Sequence, residues 1–385
     1  MNENNVISVS GGKDSTALLL LAIERQAESM SAVFADTGNE HEQTYDYVRY
    51  LEQATGVPIR WVRADFSARI EAKKEYVLTK WEGKGVSQAN IDRAAAALVP
   101  TGNPFLDLCI WKGRFPSTKA AFCSEDLKRN PIINQVQNPM LEAGDDVMSW
   151  QGVRRDESLN RRFLIESELK STHENGAELW NYRPILDWTA EDAFAMHRKH
   201  GIKHNPLYEQ GMGRVGCMPC INCRKDELLE ISKRFPEAIE RIRQWEAAVQ
   251  AASKRNGATF FAAANKGKDL TVEECVAIGN IDQCVEWSQT KRGGGCLTCS
   301  ACWMTDPCVH RFTVFVSNGE FMDEIDAAQE RMEIDLGNSI RQARQGGPVA
   351  VATGRCLWCD DVTGDEQRWC NADCRNLWQK TAGAK

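Results

Sequence analysis

Over the first 65 residues, short β-branched or apolar runs alternate with longer stretches of helical periodicity. Residues 5–10 form the first run, followed by a glycine turn and an apolar helical pattern over 14–27. A second run, 32–35, leads into Asp36-Thr37-Gly38; a helical pattern through Tyr45, Val48, Leu51 and Ala54 then closes at Gly56. Residues 59–62 read as a third strand. Strand–helix alternation with short turns predicts a parallel sheet covered by helices on both faces. Such sheets place ligands at the carboxyl ends of their strands, where Ser10 and Asp36 fall. Further along, the pattern predicts mostly helix over 66–116, a buried strand over 147–153, and helices over 185–260 except for a loop around 205–223. The pattern changes over 309–320, ahead of a helical run at 323–345 that Gly346-Gly347-Pro348 breaks. The expected units are therefore 1–310 and 311–385.

The chain has 385 residues, 42% hydrophobic and 26% charged, which excludes a disordered or fibrous protein. Its first residues lack the basic-then-apolar order of a signal peptide, and its longest apolar run, 17–23, is far too short for a bilayer. A cytoplasmic protein with no membrane partner is the expectation. The net charge of −7 argues against a general nucleic-acid binder but leaves room for a local basic face. There are 15 cysteines, none before Cys109, and in a reducing compartment such clusters point to metal binding or chemistry rather than disulfides.

Ser10-Gly11-Gly12-Lys13-Asp14-Ser15 is the sharpest local motif. Two glycines let the backbone turn and present its N–H groups, and a helix N-terminus stands behind them. Lys13 adds a point charge and Ser15 a hydroxyl. The spacing is neither that of a Walker A loop nor that of the dinucleotide glycine fingerprint. This is a phosphate-binding loop of another kind.

Together with four further blocks, the loop resembles the PP-loop nucleotide enzymes, specifically the phosphoadenosine-phosphosulfate (PAPS) reductase family. The blocks are Phe34-Ala35-Asp36-Thr37-Gly38; Gln151 to Ser158 with Arg161; Pro184-Ile185-Leu186-Asp187-Trp188; and Asn205-Pro206-Leu207-Tyr208 followed by Gly216-Cys217-x2-Cys220. The resemblance spans roughly 4–310 and implies an α/β fold of the adenine nucleotide α-hydrolase type, with helical and Cys-rich additions. It implies an adenine nucleotide, ATP or PAPS, with Mg2+. Ser10, Gly11, Gly12, Lys13, Asp14 and Ser15 would hold its phosphate or sulfate end, and Asp36 would sit beside the nucleotide or its metal. Gly152 with Arg154, Arg155 and Arg161 would approach and clamp anionic oxygens, as a guanidinium fork suits. Lys13, Asp14, Asp36 and Arg154 are the candidate catalytic residues.

Two features distinguish the chain from the reductases of that family. It lacks a Glu-Cys-Gly-type segment carrying the cysteine that attacks sulfur, and its full loop resembles the ATP-cleaving members. Those adenylylate a substrate, release pyrophosphate, and in several cases deliver sulfur, the DNA phosphorothioation enzymes among them. The expectation is adenylylation or sulfur transfer onto an acceptor the sequence does not name, nucleic acid among the candidates, with a thiol or sulfur donor protein as a further partner. The alternatives are thiol-dependent reduction of PAPS or adenylyl sulfate, and nucleotide-dependent regulation without catalysis.

Twelve of the cysteines fall into three sets, and Cys109, Cys275 and Cys284 stay unassigned. Cys217-x2-Cys220-x2-Cys223 is a thiolate triplet; by the family's pattern Cys123 supplies the fourth ligand of a four-iron (4Fe–4S) cluster or a zinc site. Cys296, Cys299, Cys302 and Cys308 form a second metal candidate. Cys356-x2-Cys359 and Cys370-x3-Cys374 flank a turn, as a four-thiolate zinc finger requires. With the preceding helical pattern, that last set resembles the DksA/TraR-type zinc-finger proteins, which implies a docking module. His197 and His200 read as a polar helix face, and Trp188 as an adenine-stacking or core residue.

Overall fold

The computed structural model describes residues 3–118, 120–157, 159–261 and 270–290. The second and third thiol sets and the expected boundary near 310 lie outside these residues.

Six strands make one sheet: β1 Glu3–Val9, β2 Met30–Asp36, β3 Ile59–Arg63, β4 Asp146–Trp150, β5 Ser167–Thr172 and β6 Glu178–Tyr182, in the order β3-β2-β1-β4-β6-β5. Every pairing is parallel except β5 with β6. The fold is thus mixed α/β on a mostly parallel sheet, as expected, with an antiparallel edge. The central strand explains the layering. Successive side chains of a strand point to opposite faces, and Val6 joins Val33, Val62 and Val147 in one core while Ile7 joins Phe34 and the helices of the other.

Helix α1, Lys13–Glu24, is apolar almost all round, and its Ala17–Ala22 stretch is wholly buried. Such a helix belongs between layers rather than at the surface. It packs with α2, Glu42–Thr55, on one face of the sheet. A separate helical layer encloses the largest core: α3 Ser67–Lys80, α4 Gln88–Ala97 and α5 Pro104–Lys112. A helical run over 122–142, interrupted by π turns at Glu125–Arg129 and Ile133–Gln137, returns the chain to β4. Then come α6 Ala190–Lys199, α7 Lys225–Arg234, α8 Pro236–Ala252, α9 Val272–Gly279 and α10 Ile281–Gln289. No helix among the described residues is long and apolar enough to cross a membrane.

Two cysteines of no predicted role find structural ones. Cys109 is fully buried in the helical core. Cys284 is buried on α10 and donates to the carbonyl of Gly279 at 3.7 Å.

Candidate functional site

The carboxyl ends of β1, β2 and β4 meet where the strand order reverses, and each delivers one expected block. β1 ends in the Ser10–Ser15 loop. Gly11 takes φ +74°, and a Cβ there would stand 2.8 Å from the Thr44 methyl, so this position demands glycine on both counts. The Ser10 N–H donates to Ser15 Oγ at 3.0 Å, and that hydroxyl donates to the Gly12 carbonyl at 3.0 Å. Three side chains from a distant segment brace the loop. Asn205 Nδ2 donates to the Gly11 carbonyl at 3.2 Å, Tyr208 accepts from the Lys13 N–H at 3.0 Å, and His197 Nε2 donates to the Lys13 carbonyl at 2.9 Å.

His197 corrects the sequence reading. It is 2% exposed, not part of a polar face, whereas His200 does sit at the surface against Glu24. Burial depresses its pKa below the ordinary value, only partly offset by the Lys13 carbonyl, so it is a neutral donor behind the loop. Burial likewise pushes the Tyr208 hydroxyl up to about 12. Tyr208 and Asn205 belong to a sequence block already noted; nothing in the local pattern marked His197.

β4 contributes Gly152 and Arg154 just past its end. A Cβ on Gly152 would come within 3.3 Å of the Asp14 and Ser15 backbone, so this segment lies directly on the loop. Arg154 is 4% exposed, and its Nε stands 2.6 Å from Asp14 Oδ1. Lys13 Nζ lies 3.2 Å from the other oxygen of Asp14. One carboxylate therefore orders two cations at a helix N-terminus, an arrangement that can receive a multiply charged phosphate. Arg161 pairs with Glu157 and stays within electrostatic reach of Asp14 and Arg154. Arg155 is turned elsewhere, to Asp187 at 2.6 Å and the Arg162 carbonyl at 2.7 Å. Trp188 packs against the sheet core rather than standing free.

β2 ends at Asp36, whose carboxylate accepts from the Gly38 N–H and the Tyr45 hydroxyl and lies 3.4 Å from Arg63. The residues after it tie the nucleotide motif to the thiol loop. Glu40 forms a β-bridge with Cys217, Met218 N–H donates to the Asn39 carbonyl at 2.8 Å, and Asn39 Nδ2 donates to the Pro219 carbonyl at 3.0 Å. Asn39 is fully buried and Glu40 nearly so.

Cys217, Cys220 and Cys223 thus stand beside β2, with Cys123 packed against the same core and within electrostatic reach of Cys220. The sulfurs do not converge: among the described residues, no three His, Cys, Asp or Glu side chains stand at metal-ligand spacing. Cys217 faces Thr37 and Glu40, Cys220 accepts from Arg214 at 3.3 Å, and Cys223 faces the Arg224 carbonyl. Burial raises the pKa of Cys123, Cys217 and Cys223 above the ordinary thiol value. Lys128 answers them. The negative charge of Cys217 above all, then of Glu40, Cys220 and Cys123, raises its pKa against the opposing effect of burial. In number and softness the four thiols fit a thiolate-bound metal. Their separate partners mean that side chains must rotate to gather on one.

A glycine-turned anion cradle at a helix N-terminus, on the carboxyl edge of a parallel sheet, defines a phosphate-binding α/β protein. Residues 4–223 match the phosphoadenosine phosphosulfate reductase domain model, and the chain belongs to that family. It is 47% identical, over 75% of its length and 89% of the relative's, to an uncharacterized 37.8 kDa protein of Escherichia phage 186. Phosphoadenosine 5'-phosphosulfate reductase of Vibrio vulnificus is 23% identical over 55% of this chain and 64% of its own. The chain spans 40 to 49% of the length of three further relatives. Among solved structures, the phosphoadenylyl-sulfate (PAPS) reductase of Candida auris is similar over 56% of this chain and 82% of its own, with 16% identity and a TM-score of 0.34.

Proposed function

We propose that the chain is an ATP-dependent enzyme that adenylylates an acceptor at the Ser10–Ser15 loop. The observation carrying this reading is the intact loop itself, with Lys13 and Arg154 both held on Asp14 at a helix N-terminus. In this reading, Gly11 and Gly12 keep the loop open for the phosphates, and Gly152 lets the β4 segment lie against it. An acceptor oxygen attacks the α-phosphorus, the α–β bridging P–O bond breaks, and pyrophosphate leaves with the electron pair. Lys13, the loop N–H groups and the arginine pair stabilise the charge that develops on the leaving group. ATP would enter as its magnesium complex, with Asp36, at the end of β2, beside the nucleotide or its metal. Arg161 supplies a second guanidinium from the same segment, while Arg155 orders the surface loop through Asp187.

The thiol loop is the partner site. Cys123, Cys217, Cys220 and Cys223 would hold a 4Fe–4S cluster or zinc; such a centre supplies redox or sulfur chemistry if iron–sulfur, and scaffolding if zinc. Lys128 and Arg214 give it positive charge, and Glu40 and Asn39 link it to Asp36. The second reading, thiol-dependent reduction of PAPS or adenylyl sulfate, is favoured by the family's description and by the reductases among the relatives.

One pair of assays on the full chain decides between them. Adenylylation predicts pyrophosphate release from ATP that Asp14→Ala abolishes. Sulfite release from PAPS with thioredoxin, and none of pyrophosphate from ATP, would replace it with the reductase. Nucleotide binding without turnover in either assay would leave a regulator. Iron, sulfide and zinc analysis after anaerobic purification identifies the metal.

A further inference from the structure

A cavity of about 240 Å³ lies apart from the strand-end site, among the C-terminal parts of α3, α5 and α8. Lys73, Lys112, Lys254 and Arg255 line it, with Trp81 and Gly113 in the wall. No acidic side chain is among its described lining residues, in a chain whose net charge is −7. Lys112 alone has a carboxylate partner, Asp126 at 3.2 Å; no described carboxylate pairs with Lys73, Lys254 or Arg255. Lys73 lies over the Trp81 and Tyr76 rings. Four gathered cations repel one another, so their common approach to one hollow is what a bound anion would relieve. The volume is below that of pockets for drug-sized ligands and leaves room for a phosphate group.

The position has meaning too. α5 is capped by Asn103, whose side-chain amide donates to the Gly38 carbonyl at 2.8 Å, and it ends at Lys112, on the cavity. Its nine residues, rising 1.5 Å each, span about 14 Å between the Gly38 turn after β2 and the cavity. Lys112 also lies over the Phe122 ring, next to Cys123.

We propose that this cavity is a second anion site, taking a phosphate group of either a free phosphate or a nucleic-acid backbone. The inference does not depend on the reaction at the Ser10–Ser15 loop. The test uses the full chain with a labelled single-stranded oligonucleotide, followed by polarisation, and with inorganic phosphate as competitor. Lys254→Glu with Arg255→Glu replaces two exposed side chains and should weaken oligonucleotide binding about tenfold or more. The slope of log affinity against log salt should become shallower by about 1.4, at roughly 0.7 per lost contact. Lys73→Glu alone should weaken binding in the same direction, and Lys170→Glu on the exposed β5 strand should not. An unchanged ATP affinity in the double variant certifies its fold. If phosphate displaces the oligonucleotide, the site reads a lone phosphate; if it does not, the site reads the backbone. Binding that survives all these substitutions, is lost equally in Lys170→Glu, or is absent from the wild type for both probes overturns the proposal.

Discussion

In the Ser10–Ser15 loop, the chain itself holds the turn: the Ser15 hydroxyl is bonded on both sides, and Asn205, Tyr208 and His197 hold the backbone of Gly11 and Lys13 from behind. In the thiol loop, the backbone is equally well tied, through Asn39 and Glu40, yet each sulfur is drawn to its own partner. The difference follows from what each ligand asks of the chain. A phosphate is met by fixed N–H dipoles and cations, which can be pre-arranged without penalty. Thiolates cannot be pre-arranged in that way, because burial raises the pKa of Cys123, Cys217 and Cys223 and so opposes their charged form.

Substitutions at the two loops should therefore separate. The largest effect is expected for Arg154→Ala, which leaves the Asp14 carboxylate beside a buried gap; about 3–5 kcal/mol of stability should be lost in denaturant unfolding. Arg154→Lys should recover only part, because an ammonium cannot serve Asp14 and Asp156 together in the fork geometry. Gly11→Val comes next, with about 2–4 kcal/mol of strain and overlap at the loop, read as loss of measurable ATP binding by calorimetry. An Asn39→Ala variant that bound ATP poorly would erase the distinction between the loops. The expected outcome is metal affinity about tenfold weaker, with ATP affinity within threefold of the wild type.

The smallest expected effect is a dependence on pH. Burial lowers the pKa of His197 and of His41 below the ordinary 6.5. Below that value the unfolded chain takes up protons that the folded chain refuses. Their contribution to stability is therefore present above about pH 6.5 and is lost as pH falls, by at most about 1.4 kcal/mol per pH unit for each group. His197→Gln should flatten that fall in unfolding experiments between pH 5 and 6.5, while ATP affinity between pH 7 and 8 stays level.

Much of the nucleotide half was legible from residue pattern alone. The runs at 5–10, 32–35 and 59–62 became β1, β2 and β3, and the apolar helix after the glycine turn became α1. The β5–β6 hairpin was not foreseen, because all six residues of β5 are exposed and leave no alternation of apolar and polar positions to read. The strand expected over 147–153 stops at Trp150, since Gly152 must close against the loop rather than extend the ladder. At the site, the motif residues announced themselves, whereas Asn39, Glu40, Lys128 and His197 did not. Their roles come from contacts across the chain, such as Asn39 with Pro219 and His197 with Lys13, that no local spacing encodes.

ATP titration of three full-length proteins by calorimetry tests most directly whether nucleotide affinity resides in the strand-end loop. Lys13→Ala removes the loop's ammonium and should weaken binding by about 10- to 100-fold, the worth of a charge-assisted contact. Cys217→Ser, which alters the thiol loop but not the cradle, should bind ATP within about threefold of the wild type, less than 1 kcal/mol. Equal affinity in Lys13→Ala and wild type, or a larger loss in Cys217→Ser than in Lys13→Ala, would contradict the account.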